Sequence, residues 1–125
     1  MAEYSVLMVC NELYGETHQE QYLEKIKPKF EEDLPAINTI LRSHPKAHTV
    51  YYYWGTLVFL DIRRKIGAQK LKQALKEFAK ISQKERSVSS KHLIKSLNLV
   101  TGKDKDWQNY IEKKLSEKPK FTPLD

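Results

Sequence analysis

The sequence has little of what would tie a small fold together covalently or through a metal. It carries one cysteine, Cys10, in 125 residues. That excludes an internal disulfide and a cysteine zinc site, and leaves a buried thiol as the expected role. No apolar stretch reaches the roughly 18 residues of a membrane span, because Asp61 and the arginines after it cut the longest one short. No basic segment followed by an apolar one opens the chain, so no secretory signal is expected, and its compartment stays open. Strand-period alternation is missing throughout, and so is any internal repeat. No Gly-rich phosphate loop, Cys-His nucleophile pair or Ser-His-Asp pattern stands out.

What is present is a helical pattern around one apolar run. With 40% hydrophobic and 30% charged residues, the composition is that of a soluble globular domain. From Val50 through Ile62 only Gly55, Thr56 and Asp61 interrupt apolar or aromatic residues, a run too long for an ordinary strand. It predicts a helix over Val50–Ile66, buried on most of its circumference. Arg63, Arg64 and Lys65 complement the dipole of its last turn, and Gly67 is a left-handed stop.

The other segments read as helices packed around this one. Tyr4, Val6, Leu7, Val9, Cys10, Leu13 and Tyr14 have helical spacing, closed by Gly15. Thr17 with Glu20 has capping-box spacing, so a second helix starts at His18 and kinks or ends near Lys27, ahead of Pro28. Asp33-Leu34-Pro35 reads as a cap with proline at the start of a short helix through Leu41. A loop from Arg42 to Thr49 follows. Leu71, Ala74, Leu75, Phe78 and Ala79 form an apolar stripe, with Lys70, Lys72, Lys76, Lys80 and Lys84 on the wet side. Ser87 to Ser90 is a turn and cap, and Leu93, Ile94 and Leu97 belong to a short helix ending before Thr101-Gly102. Asp104 or Asp106 caps a last helix with Trp107, Tyr110, Ile111 and Leu115 inward. The expected fold is all-α: a bundle of about six to seven helices in one domain over residues 1–118, with an extended tail over 119–125.

The charge is uneven. Residues 1–40 carry eight acidic and three basic side chains, a balance of −5, and the remainder carries eight and nineteen, a balance of +11. Such polarity suits an anionic partner. However, the lysines are spread singly and alternate with acids, without interleaved aromatics, so they read as solvating helix faces and a nucleic-acid surface is not expected.

Read together, Tyr52-Tyr53-Trp54-Gly55-Thr56-Leu57 and Leu60-x-x-Arg63-Arg64-x-x-Gly67 resemble the Tyr-x-x-Gly-rich helix of the aminopeptidase N-like zinc metallopeptidases, the gluzincins. The similarity continues in order. Leu71 to Phe78 resembles the family's next helix, and Ser89-Ser90-Lys91-His92-Leu93 its Thr-Thr-x-x-Phe cap. Val100-Thr101-Gly102-Lys103-Asp104 resembles its Val-Ser-Gly-Lys-Asp turn, with Trp107 near an aromatic position. Ala2-Glu3-Tyr4-Ser5 looks like the end of its Asn-Glu-Gly-Phe-Ala-Glu-Tyr stretch. Trp54 departs from the pattern, since a basic residue is common there.

In that family, two histidines of H-E-x-x-H and a later glutamate hold zinc, and the glutamate of the motif activates a water. This chain contains no H-E-x-x-H, the ligand glutamate of Asn-Glu-Gly would lie before Met1, and Glu3 matches a non-ligand acid. The resemblance therefore implies the helical C-terminal part of an aminopeptidase catalytic domain. Alone it would be inactive, with no metal ligand of its own. Zinc would belong to the parent enzyme, a hydrolase removing N-terminal residues from peptides. The implied partner is the parent's N-terminal half, or a second copy covering the exposed apolar face that half would meet.

From the residues alone, Tyr51, Tyr52 and Tyr53 read as core or rim aromatics. The resemblance instead aligns Tyr52 with a catalytic tyrosine whose hydroxyl stabilises the oxyanion of the tetrahedral intermediate, and Gly55 reads as a close-packing position. His44 and His48 have the i, i+4 spacing of a zinc pair, but Pro45 between them argues for loop residues. His18 and His92, at helix starts, read as surface residues. The alternative to a peptidase fragment is a basic helical interaction module, or a free-standing product that has lost catalysis.

Overall fold

A computed structural model describes residues 17–31, 33–86, 90–102 and 106–121. Among them the chain is helical, with no strand. Five α-helices are seen: α1 (Thr17–Ile26), α2 (Gly55–Ile66), α3 (Ala68–Glu85), α4 (Ser90–Thr101) and α5 (Trp107–Ser116). A 3-10 turn (Lys27–Phe30) follows α1, and a π-helical segment (Thr49–Trp54) leads into α2. The helix read over residues 2–14, with Cys10 and Gly15, lies outside the described residues, as does Asp104.

The punctuation acts where backbone chemistry requires it. Pro28 lacks the N–H an α-helix would need, and α1 gives way to the 3-10 turn at Lys27. Gly67 ends α2 with its N–H on the Arg63 carbonyl, 2.7 Å away. Its φ of +88° and ψ of 159° are open to glycine but are not those of a left-handed helical residue. Gly67 also caps α3, since its carbonyl accepts from Leu71. The other end of α3 closes on Arg86, a non-glycine residue at φ +53°. The Asp106 carboxylate accepts from the Asn109 backbone at 3.1 Å and so caps α5.

The chain forms two compact units, residues 1–60 with 115–125, and residues 61–114. In the first, Ile26, Leu34, Val50, Trp54 and Leu57 are buried. The stretch from Asp33 to Leu41 is not the short helix the sequence suggested. Turns replace it, with Thr39 donating through both its N–H and its hydroxyl to the Ala36 carbonyl. The seven residues from Pro35 to Leu41 are too few to offset helix nucleation by themselves. The Asn38 N–H reaches the Leu115 carbonyl at 3.0 Å instead. Residues 119–121 pack onto the same unit: Pro119 is buried, and the Phe121 ring lies 6.3 Å from that of Phe30.

In the second unit α3 packs against α4. The buried stripe of α3 is Leu71, Ala74 and Phe78. It is narrower than the periodicity implied, because Ala79 is exposed and Leu75 only half-buried. Trp107 and Ile111 bury the inner face of α5. The inner face of α4 mixes Leu97 with His92, Ser96 and Thr101. Ser96 and Thr101 donate to carbonyls four residues back, at 2.8 and 2.7 Å. Thr101 then accepts the Trp107 indole N–H at 3.0 Å, so the two hydroxyls and the indole are satisfied within the unit.

Candidate functional site

The segment that would carry the family tyrosine is not α-helical. Two turns, His44 N–H to the Leu41 carbonyl and Ala47 N–H to the His44 carbonyl, bring the chain out of the loop around Pro45. Helix begins at Ala47 and loosens into the π segment at Thr49. Bonds in such a segment reach one residue further than in an α-helix, a rare arrangement enriched at functional sites. It closes at Gly55. There the Gly55 N–H and the buried Thr56 hydroxyl, at 2.8 Å, both donate to the Tyr52 carbonyl. Val50 and Trp54 anchor its inner side.

The three consecutive tyrosines have different surroundings, and Tyr52 is the most exposed of them. Tyr51 donates to the Ile40 carbonyl at 2.9 Å, which holds the loop against the helix. The Tyr53 ring packs edge-on to Tyr22 and to His48, with the Lys29 ammonium 5.5 Å from its centroid. Tyr52 is 46% exposed, and its hydroxyl has no hydrogen-bond partner among the described residues. Its ring lies against His48, centroids 4.6 Å apart and 32° between planes. Sequence reasoning missed His48 as the neighbour of Tyr52, although their i, i+4 spacing was the signal.

Gly55 is not the close-packing position that was expected. It has ordinary α-helical angles, and a Cβ built there would meet nothing within 4 Å.

Of the two histidines expected in the loop, His44 lies there and His48 is helical, and both are occupied in other ways. Nδ1 of His44 accepts the Lys46 N–H at 3.0 Å, and His48 is stacked on tyrosine rings. Among the described residues no three His, Cys, Asp or Glu side chains converge as a metal site would require. These residues do not fit the zinc that the resemblance implies, so no step through a metal is derived for them.

His92 is buried rather than on the surface. Its Nε2 lies 2.5 Å from a Glu85 carboxylate oxygen, joining α4 to α3. Its Nδ1 and the Ser82 hydroxyl are buried without a hydrogen-bond partner among the described residues. A second feature of this unit is an open groove of ≈ 580 Å³ with Ile94, Lys95, Asn98 and Leu99 on one side and Gln108 and Glu112 on the other. It holds no histidine, cysteine or carboxylate pair.

Exposed large apolar side chains among the described residues are Leu41 (72%), Tyr52 and Leu99 (61%). No described helix is long and apolar enough to cross a membrane. No protein-family model, curated protein or solved structure matches this chain.

Proposed function

We propose that this chain is a helical wall of an aminopeptidase N-like peptidase, inactive alone, which presents the Tyr52 phenol to a reaction centre whose metal ligands lie outside it. The observation that carries the reading is the placement of Tyr52: a half-exposed hydroxyl on a π-helical turn, between two tyrosines whose rings or hydroxyls are already engaged. A phenol on a rigid element can donate to developing negative charge without reorganising, which is what an oxyanion donor must do. An all-helical chain with the ordered series of motifs from Tyr52 to Trp107 agrees with that role. Zinc belongs to the complete enzyme, which hydrolyses the N-terminal peptide bond. This chain supplies the donor and the helical segment that fixes its position.

The partner of the wall is the N-terminal half of the parent peptidase, or a second copy of the chain over the same face. The exposed Leu41 and Tyr52 lie in the unit that would meet it. The coding sequence upstream of Met1 tests the proposal. An in-frame H-E-x-x-H followed by Asn-Glu-Gly is the expected result; a frame closed by a nearby stop codon, with neither motif, would overturn it. Light scattering of the 125-residue chain at high concentration tests the second-copy alternative, and a strictly monomeric species would remove it.

A further inference from the structure

The acids and bases that alternate in the sequence are sorted by the fold. Residues 61–114 carry fifteen basic and six acidic side chains, a balance of +9, against −3 for the rest of the chain. On α3, Lys72, Lys76, Lys80 and Lys84 are all exposed and follow one another at four-residue steps. They therefore form one row along the helix, about 6 Å between neighbours and about 18 Å from end to end. Of the two acids of α3, only Glu77 meets the row, pairing with Lys80 at 3.5 Å, and Glu85 is engaged by His92. Lys72, Lys76 and Lys84 carry no ion pair among the described residues. In the same unit the ammonium groups of Lys65 and Lys114 both lie within 5.6 Å of the Tyr110 ring centroid, so cations and an aromatic ring are interleaved there after all.

We infer that the lysine row of α3 is a docking surface for the phosphodiester backbone of a nucleic acid, bound without regard to base sequence. A linear row of separate point charges complements a linear polyanion, where each ammonium can displace counterions from its own phosphate. The row offers no planar or forked donors, and its glutamine neighbours Gln69, Gln73 and Gln83 stand on the solvent side of the same helix. Duplex DNA places about ten phosphates in 18 Å of axis, more than enough to occupy the row. A bilayer is the less suitable partner. The apolar stripe of α3 is spent in the core, and among the described residues of this unit the one exposed large apolar side chain is Leu99 on α4, too little to anchor the row in acyl chains. This inference gives the anionic-partner alternative a location and a chemistry, and stands whether or not the peptidase reading does.

The test is fluorescence anisotropy of a short labelled DNA duplex titrated with the full chain between about 50 and about 200 mM KCl, the range over which counterion release is measurable. With four lysines engaged, the slope of log K against log salt is expected near −3.6. The variant K72Q/K76Q/K84Q removes the three unpaired charges with good helix formers, and its slope is expected near −0.9. Over the same range, wild-type affinity should fall about 150-fold and that of the variant only about 3.5-fold. A control, K25Q/R42Q/K120Q, removes the same charge from the other unit and should keep the wild-type slope. Far-UV circular dichroism checks that both variants are folded. Equal losses in the two variants, or no binding at the lowest salt, would overturn the inference. So would phosphatidylserine vesicles that compete for the row better than unlabelled duplex.

Discussion

Two glycines on the same long apolar segment give opposite expectations for the same substitution. Gly55 sits at φ −57° and ψ −43°, and a Cβ there meets nothing within 4 Å. Gly55→Ala therefore adds no clash and removes backbone freedom from the unfolded chain. The expected gain is about 0.5–1 kcal/mol, the usual glycine penalty inside a helix. Gly67 also has open space around its missing Cβ, but its φ is +88°. An alanine there must hold a backbone conformation that L-residues avoid, at a cost of about 1–3 kcal/mol. The two variants should differ by about 1.5–4 kcal/mol in opposite directions from wild type, although both are nominally Gly→Ala at uncrowded sites. Urea unfolding followed by far-UV circular dichroism and by tryptophan fluorescence measures this. Trp54 lies in one unit and Trp107 in the other, so fluorescence samples both. With a urea m-value of about 1–3 kcal/mol/M, Gly55→Ala should move the midpoint upward by a few tenths molar. A loss of stability in Gly55→Ala would refute the reasoning and restore close packing as the reason for that glycine.

Further predictions follow from individual hydrogen bonds. Thr101→Val keeps the shape but leaves the buried Trp107 indole N–H without its acceptor, so urea unfolding should show a loss of about 1–3 kcal/mol. Ser82→Ala removes a buried hydroxyl that has no hydrogen-bond partner among the described residues, and thermal unfolding should show a protein equally stable or about 1 kcal/mol more stable. Among the tyrosines, Tyr51→Phe should cost about 1 kcal/mol by breaking the bond to Ile40, whereas Tyr52→Phe should stay within about 0.5 kcal/mol of wild type. The second pair separates a residue that holds the fold from one available for chemistry.

The all-helical class was legible because apolar periodicity reports burial directly: Leu71, Ala74 and Phe78 recur at helical spacing and are buried. Proline and glycine were legible for the same reason, since Pro28 and Gly67 change what the backbone can do wherever they stand. The inner face of α4 was not legible. Ser96 and Thr101 satisfy their hydroxyls on their own helix, so they can face inward without a sequence partner to announce them. His92 escaped for a related reason, because its partner Glu85 lies on the preceding helix, seven residues away. The π segment leaves the hydrophobic pattern of Val50, Trp54 and Leu57 intact, and so it could not be told from an α-helix by periodicity. At the candidate site, Tyr52 was reached through resemblance, while its exposure and its contact with His48 came only from the fold.

The most direct test of the central claim is kinetic. Where the upstream coding sequence holds the proposed peptidase motifs, the chain extended to include them is assayed on an aminoacyl coumarin amide with and without Tyr52→Phe. The account predicts zinc-dependent turnover in the extended protein and a kcat about 100- to 1,000-fold lower in the variant, with KM little changed, as for loss of one oxyanion donor. Unchanged kcat in Tyr52→Phe would contradict it.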